Sequence, residues 1–157
     1  MKSGFMKSRV SLAVIVLLAL SVLPAAASNF DDKVIDQDSI DALQAKVLLA
    51  QPREQCFLYA ELVHEMTEYS LRQYAKGDGD KASVLLKQVQ ELAHKIHLSL
   101  ADDNKRLKNA QILLRHTAFR LNEMLHNSSL EDQPLVAQTL AQVNQAQDEA
   151  MLQVFRK

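Results

Sequence analysis

The stretch from Arg53 to Leu100, REQCFLYAELVHEMTEYSLRQYAKGDGDKASVLLKQVQELAHKIHLSL, decides the fold of this chain. Two amphipathic runs flank one glycine-bearing break, Gly77-Asp78-Gly79-Asp80, and the arrangement predicts an antiparallel helical hairpin. Advancing about 100° per residue from Leu62 brings Leu58, Leu62, Met66, Tyr69 and Gln73 into one narrow sector, the spacing of a core-facing stripe. A second apolar stripe, Phe57, Ala60, Thr67 and Leu71 with His64 among them, runs down the opposite side. A helix apolar on two sides needs cover on both. The second run carries one seam, Leu85, Val89, Leu92, Ile96 and Leu100, with Lys87, Glu91, His94 and Lys95 on its polar flanks. In the break, Gly77 and Gly79 are expected to supply positive φ, and Asp78 or Asp80 to cap the next helix.

The fragment Tyr74-Ala75-Lys76-Gly77-Asp78 with Ala82 resembles a tetratricopeptide turn. Both flanking runs are too long for that repeat, and no second copy follows at its period of about 34 residues.

Upstream of the hairpin, Lys2, Lys7 and Arg9 precede an almost purely apolar run from Val10 to Leu23, followed by Pro24-Ala25-Ala26-Ala27-Ser28. A basic head, a short apolar run and an Ala-x-Ala end form a secretory signal peptide, with cleavage expected after Ala27. The run is short for a membrane span, which needs about 20 residues, and no later segment is apolar enough to make one. Removing residues 1–27 leaves one domain's worth of chain. Without Lys2, Lys7 and Arg9 the formal charge of −1 becomes −4, which argues against nucleic acid as a partner. The reading is of a periplasmic or secreted protein from a bacterium.

Only three glycines and three prolines occur in 157 residues, so helix is expected nearly throughout. Residues 28–37 read as a loose tail and 38–157 as a single helical domain. Asp38 or Ser39 is expected to cap a short helix bearing Ile40, Leu43 and Val47, which would lie across the second stripe of the hairpin's first helix. Pro52 suits the first position of the next helix. After the polar interruption Ala101 to Arg106, a clean face resumes with Leu107, Ala110, Leu114, Thr117, Leu121 and Met124. Asp102, Asp103 or Asn104 would cap that helix. Ser128 with Glu131, or Ser129 with Asp132, fits a capping box for the last one, whose stripe is Val136, Leu140, Val143, Gln147, Met151 and Val154.

The fold class is therefore all-α: an antiparallel four-helix bundle with a short extra N-terminal helix, successive long helices being neighbours. The competing arrangement is an elongated three-helix rod, in which one continuous helix spans 80–126 because the two stripes stay roughly in phase.

Three places hold residues with chemical potential. Glu61 with His64 and Glu91 with His94 have the Glu-x-x-His spacing of carboxylate-bridged di-iron bundles, but the wheel turns all four away from the seams, and Glu123 and Glu149 face outward too. Glu91, His94 and His97 make a looser candidate for a surface zinc or copper ion. Two imidazoles seldom suffice, so a solvated face is the stronger reading and no cofactor is expected. Cys56, the lone cysteine, must be buried, capped or paired with another chain in an oxidising compartment; Arg53 and the helix start would favour its thiolate modestly.

The third place is the secondary apolar surface, Phe57, Ala60 and Leu71 on one helix and Ile112, His116 and Phe119 on another. It is expected to be covered by the short N-terminal helix, a second copy or a protein partner. Cys56, Phe57, Leu71, Ile112 and Phe119 are the candidate interface residues. The functional expectation is a non-enzymatic binding or assembly module, chaperone-like or otherwise working by protein–protein interaction. The alternative is a small metal-handling or redox protein using its histidines and Cys56.

Overall fold

The computed structural model describes residues 35–100 and 104–156. The expected leader, its cleavage point and the tail up to residue 34 lie outside the described residues. The described chain is all-helical, with no strand: α1 (Gln37–Leu49), α2 (Pro52–Ala75), α3 (Gly79–Ser99), α4 (Leu107–Asn127) and α5 (Gln133–Phe155).

Local chemistry sets most boundaries. Asp36, not Asp38 or Ser39, caps α1: its carboxylate accepts from the Ser39 amide at 2.8 Å, and the Ser39 hydroxyl oxygen accepts from the Asp36 amide at 3.0 Å. Helical order thus begins within the segment read as tail, because Asp-x-x-Ser closes a reciprocal box. Pro52 occupies the first turn of α2, where a missing amide proton costs nothing. Gly77 ends α2 with φ +83°, while Gly79 simply begins α3 after Asp78, whose side chain accepts from the Lys81 amide. One positive φ suffices for this turn, not two.

The helices pack as a bundle. α2 lies against α1, α3 and α4, while α5 lies against α3 and α4. The inward stripes of α2, α3 and α4 are as expected: Leu62, Met66, Val89, Ile96, Leu114 and Leu121 are among the fully buried side chains. α5 is turned from its expected face. Val136, Thr139, Val143, Ala146 and Ala150 are buried, whereas Leu140, Gln147 and Val154 are half-buried and Met151 is exposed. The small residues let α5 approach its neighbours closely and leave the longer side chains along the edge, where Gln147 keeps access to water.

The continuous helix 80–126 does not form. α3 stops at Leu100, whose ψ of 120° is extended, and α4 begins after Arg106, a left-handed residue at φ 58°. Asn104 donates from Nδ2 to the Ser99 carbonyl at 3.0 Å, and the Lys105 amide donates to the Arg53 carbonyl at 2.9 Å. This second bond carries the chain to the start of α2. Consequently α4 packs on α2 and not on α3, although α3 and α4 are successive. The guanidinium of Arg106 sits 3.5 Å over the Phe57 ring, a cation–π contact that offsets the left-handed backbone. No side chain caps α4; Asp102 and Asp103 lie outside the described residues.

α1 covers the first stripe of α2, not the second. Arg72 bonds to the Ile35 carbonyl and Val47 and Leu48 share a groove with Tyr59 and Leu62, while Lys46 reaches the margin where Leu58 of the first stripe and Phe57 of the second meet. The second stripe faces α4 instead: His64 meets Thr117 and Arg106 covers Phe57. Both sides of α2 are covered, with the two partners exchanged from expectation.

Candidate functional site

The candidate interface residues separate into two groups. Cys56 and Phe57 are buried within the chain and Leu71 is half-buried, whereas Ile112 is 39% exposed and Phe119 is 62% exposed. The reason is the exchange of stripes. With α1 on the far side of α2, no described helix reaches the outer face of α4, where Ile112, His116, Phe119, Glu123 and His126 follow at three- and four-residue intervals. Beside this face an open groove of about 690 Å³ runs between α2 and α4, walled by Leu71, Tyr74, Arg120, Glu123 and His126 among others.

Between α2 and α4 also runs a polar seam. His64 Nδ1 lies 3.1 Å from Thr117 Oγ1, and the Thr117 hydroxyl donates to the Leu113 carbonyl at 2.9 Å. With its proton so committed, Thr117 accepts, and the imidazole carries its proton on Nδ1. Burial pushes the His64 pKa below its ordinary value, the Glu68 carboxylate opposing this. One turn on, Arg120 Nε donates to Glu68 at 2.7 Å and a second guanidinium nitrogen pairs with Glu123. Glu68 and Glu123 engage this guanidinium, leaving the apolar Phe119 and Ile112 as the uncommitted members of the face.

Sequence reasoning placed Tyr74 in the turn without a role. Its hydroxyl accepts from the Ser129 amide at 2.9 Å and donates to Asp132 Oδ2 at 3.1 Å, while Ser129 and Asp132 bond each other at 2.7 Å. The expected Ser129–Asp132 pair thus forms, but one turn ahead of α5, and it ties the α4–α5 connector to the end of α2. No local pattern marks such a bond, because its partners lie 55 residues apart.

The histidine candidates sit elsewhere. His94 and His97 stack with ring centroids 6.1 Å apart, and His97 Nδ1 meets Glu149 Oε2 of α5 at 2.6 Å. Gln145 donates to the other oxygen of Glu149 at 3.1 Å, and these side chains wall a cleft of about 140 Å³. Glu91 is exposed and is absent from that cleft. Among the described residues no three His, Cys, Asp or Glu side chains are grouped so that they could hold a metal ion.

Cys56 is fully buried. Burial pushes its thiol up to about 11, the hydrogen bond with Ser99 pulling the other way. This reverses the expected effect of Arg53 and the helix start, since desolvation of the thiolate outweighs both.

No protein family, curated protein or solved structure matches this chain.

Proposed function

We propose that the protein is a non-enzymatic binding or assembly module that engages a protein partner, or a second copy of itself, through the outer face of α4. The observation that carries this reading is Phe119, a large aromatic side chain left mostly in water beside Ile112 and an open groove. An aromatic anchor flanked by polar residues is the common core of a protein–protein contact. In this reading the four long helices alternate in direction along the chain as a four-helix bundle, α1 is an outer brace, and residues 1–27 direct the chain to the periplasm or the exterior of a bacterium.

Site-specific photo-crosslinking tests it. With a benzophenone amino acid replacing Phe119, discrete adducts are expected in cells, and far fewer with the same probe at the exposed Val84 of α3. Equal labelling at both positions sinks the proposal. The alternative, metal handling by His94 and His97, has one observation in its favour, the stacked rings beside Glu149. Stoichiometric zinc or copper uptake lost on replacing His97 would shift the choice to it.

A further inference from the structure

We propose that the end of the bundle where α1, α3 and α5 finish is a docking surface for an anionic lipid bilayer. Four contacts assemble this end. Gln55 Nε2 donates to the Ala50 carbonyl at 3.3 Å, joining α1 to α2. The Lys105 amide and Asn104 side chain fasten the entry of α4 to Arg53 and Ser99. His97 and Glu149 set α3 level with α5, so the last turns of α5 reach the same end.

On this end five large apolar side chains stand in water: Leu48, Leu49 at 88% exposure, Leu98, Leu152 and Phe155 at 79%. The opposite end, where α2 turns into α3 and α4 into α5, shows Val84 and Leu130. The five come from three separate helix ends, and one of them, Leu98, walls an open hollow of about 620 Å³ together with Pro52, Arg53 and Leu100. A protein partner needs a contiguous complementary patch. A bilayer accepts apolar side chains that project singly, provided cations meet its headgroups.

The cations are there. Lys46, Arg53, Lys105, Arg106, Lys108 and Arg156 belong to this end, against Glu54, Asp148 and Glu149 among the described residues. Glu54 is paired with Lys105 and Glu149 with His97. At the other end Arg72, Lys76 and Lys81 face seven carboxylates, Asp36, Asp38, Asp41, Asp78, Asp80, Glu131 and Asp132. The charge separation along the long axis orients the apolar, basic end toward an anionic surface. No helix among the described residues is long and apolar enough to cross a membrane, so contact is superficial.

The test uses the full chain labelled with an environment-sensitive fluorophore through Leu152→Cys, or through Leu130→Cys at the opposite end; native Cys56 is buried. Vesicles of phosphatidylcholine with 30% phosphatidylglycerol should blue-shift the label at 152 and leave that at 130 unchanged. Neutralising Arg53, Lys108 and Arg156 to Gln should weaken vesicle partition by about tenfold or more, as should Leu49→Asp with Phe155→Asp, at unchanged helicity. A blue shift of the 130 label in place of the 152 label overturns the proposal. So does a 152 shift that needs no vesicles but rises with protein concentration, which would mean that a second copy covers this end. Equal binding to vesicles without phosphatidylglycerol also overturns it.

Discussion

Cys56 shows how far a residue's fate depends on what folds over it. Burial was among the fates its sequence left open and is the one the fold gives it, whereas its neighbour Ser99 depends on the register of α2 against α3. A thiol so held is expected to resist a disulfide reagent for hours at neutral pH and to react within minutes in denaturant; rapid reaction of the native protein would contradict the burial. The buried threonines divide in a similar way. Thr117 and Thr139 each donate to a carbonyl of their own helix and face a donor from the neighbouring one, His64 and Gln90. Thr67 is equally buried, and its hydroxyl has no hydrogen-bond partner. Since an unsatisfied buried polar group is costly, Thr67→Val is expected to stabilise by about 1 kcal/mol, and Thr117→Val to destabilise by about 1 kcal/mol. Urea midpoints decide between them, and the same sign for both would refute the distinction. His64 adds a pH dependence. Its folded pKa is lowered by burial, so the unfolded chain takes up the proton first and stability falls as pH drops through about 6.5, its ordinary value. His64→Gln should flatten the acid-side decline of Tm between about pH 7 and 5; an unchanged slope would assign that decline to other groups.

The elements themselves were readable, because a 3.6-residue repeat of Leu, Val and Ile shows through any context and because Pro52, Gly77 and Asp78 punctuate it. What the repeat could not say is which helix takes which stripe. Both sides of α2 are apolar, and the choice between α1 and α4 rests on partners far away in sequence: Arg106 over Phe57 and Thr117 against His64. The α3–α4 corner was ambiguous for a related reason. It contains no glycine or proline, and its left-handed turn falls on Arg106, a residue without any such preference. The stripe of α5 was misjudged because alanines score weakly as core residues although they permit the closest approach. α1 packs only on α2, so it is the element most dependent on its own cap. Asp36→Ala is expected to cost about 1 kcal/mol and to speed amide exchange within α1 before that of α3. Uniform acceleration across the chain would instead make α1 part of one cooperative unit.

At the level of the whole molecule, the all-helical class and the bundle were legible, while which of the five candidate interface residues stay in water was not, since that depends on which helix covers each stripe of α2. Phe57 and Cys56 serve the interior, and Phe119 and Ile112 remain outside. Because Phe119 supports no internal packing of consequence, Phe119→Asp is expected to change stability by less than about 0.5 kcal/mol while abolishing crosslinks at neighbouring probe positions on α4. A loss of several kcal/mol would reassign Phe119 to the fold. The pairing of α2 with α4 carries one more consequence, for a chain still emerging from the ribosome. Glu68 and its partner Arg120 are 52 residues apart, so at about 5–20 residues per second the second oily flank of α2 waits roughly 3 to 10 s for its cover. During that interval it is a natural landing place for a holdase, and slowing translation between Leu71 and Ile112 should deepen the nascent protein's dependence on one.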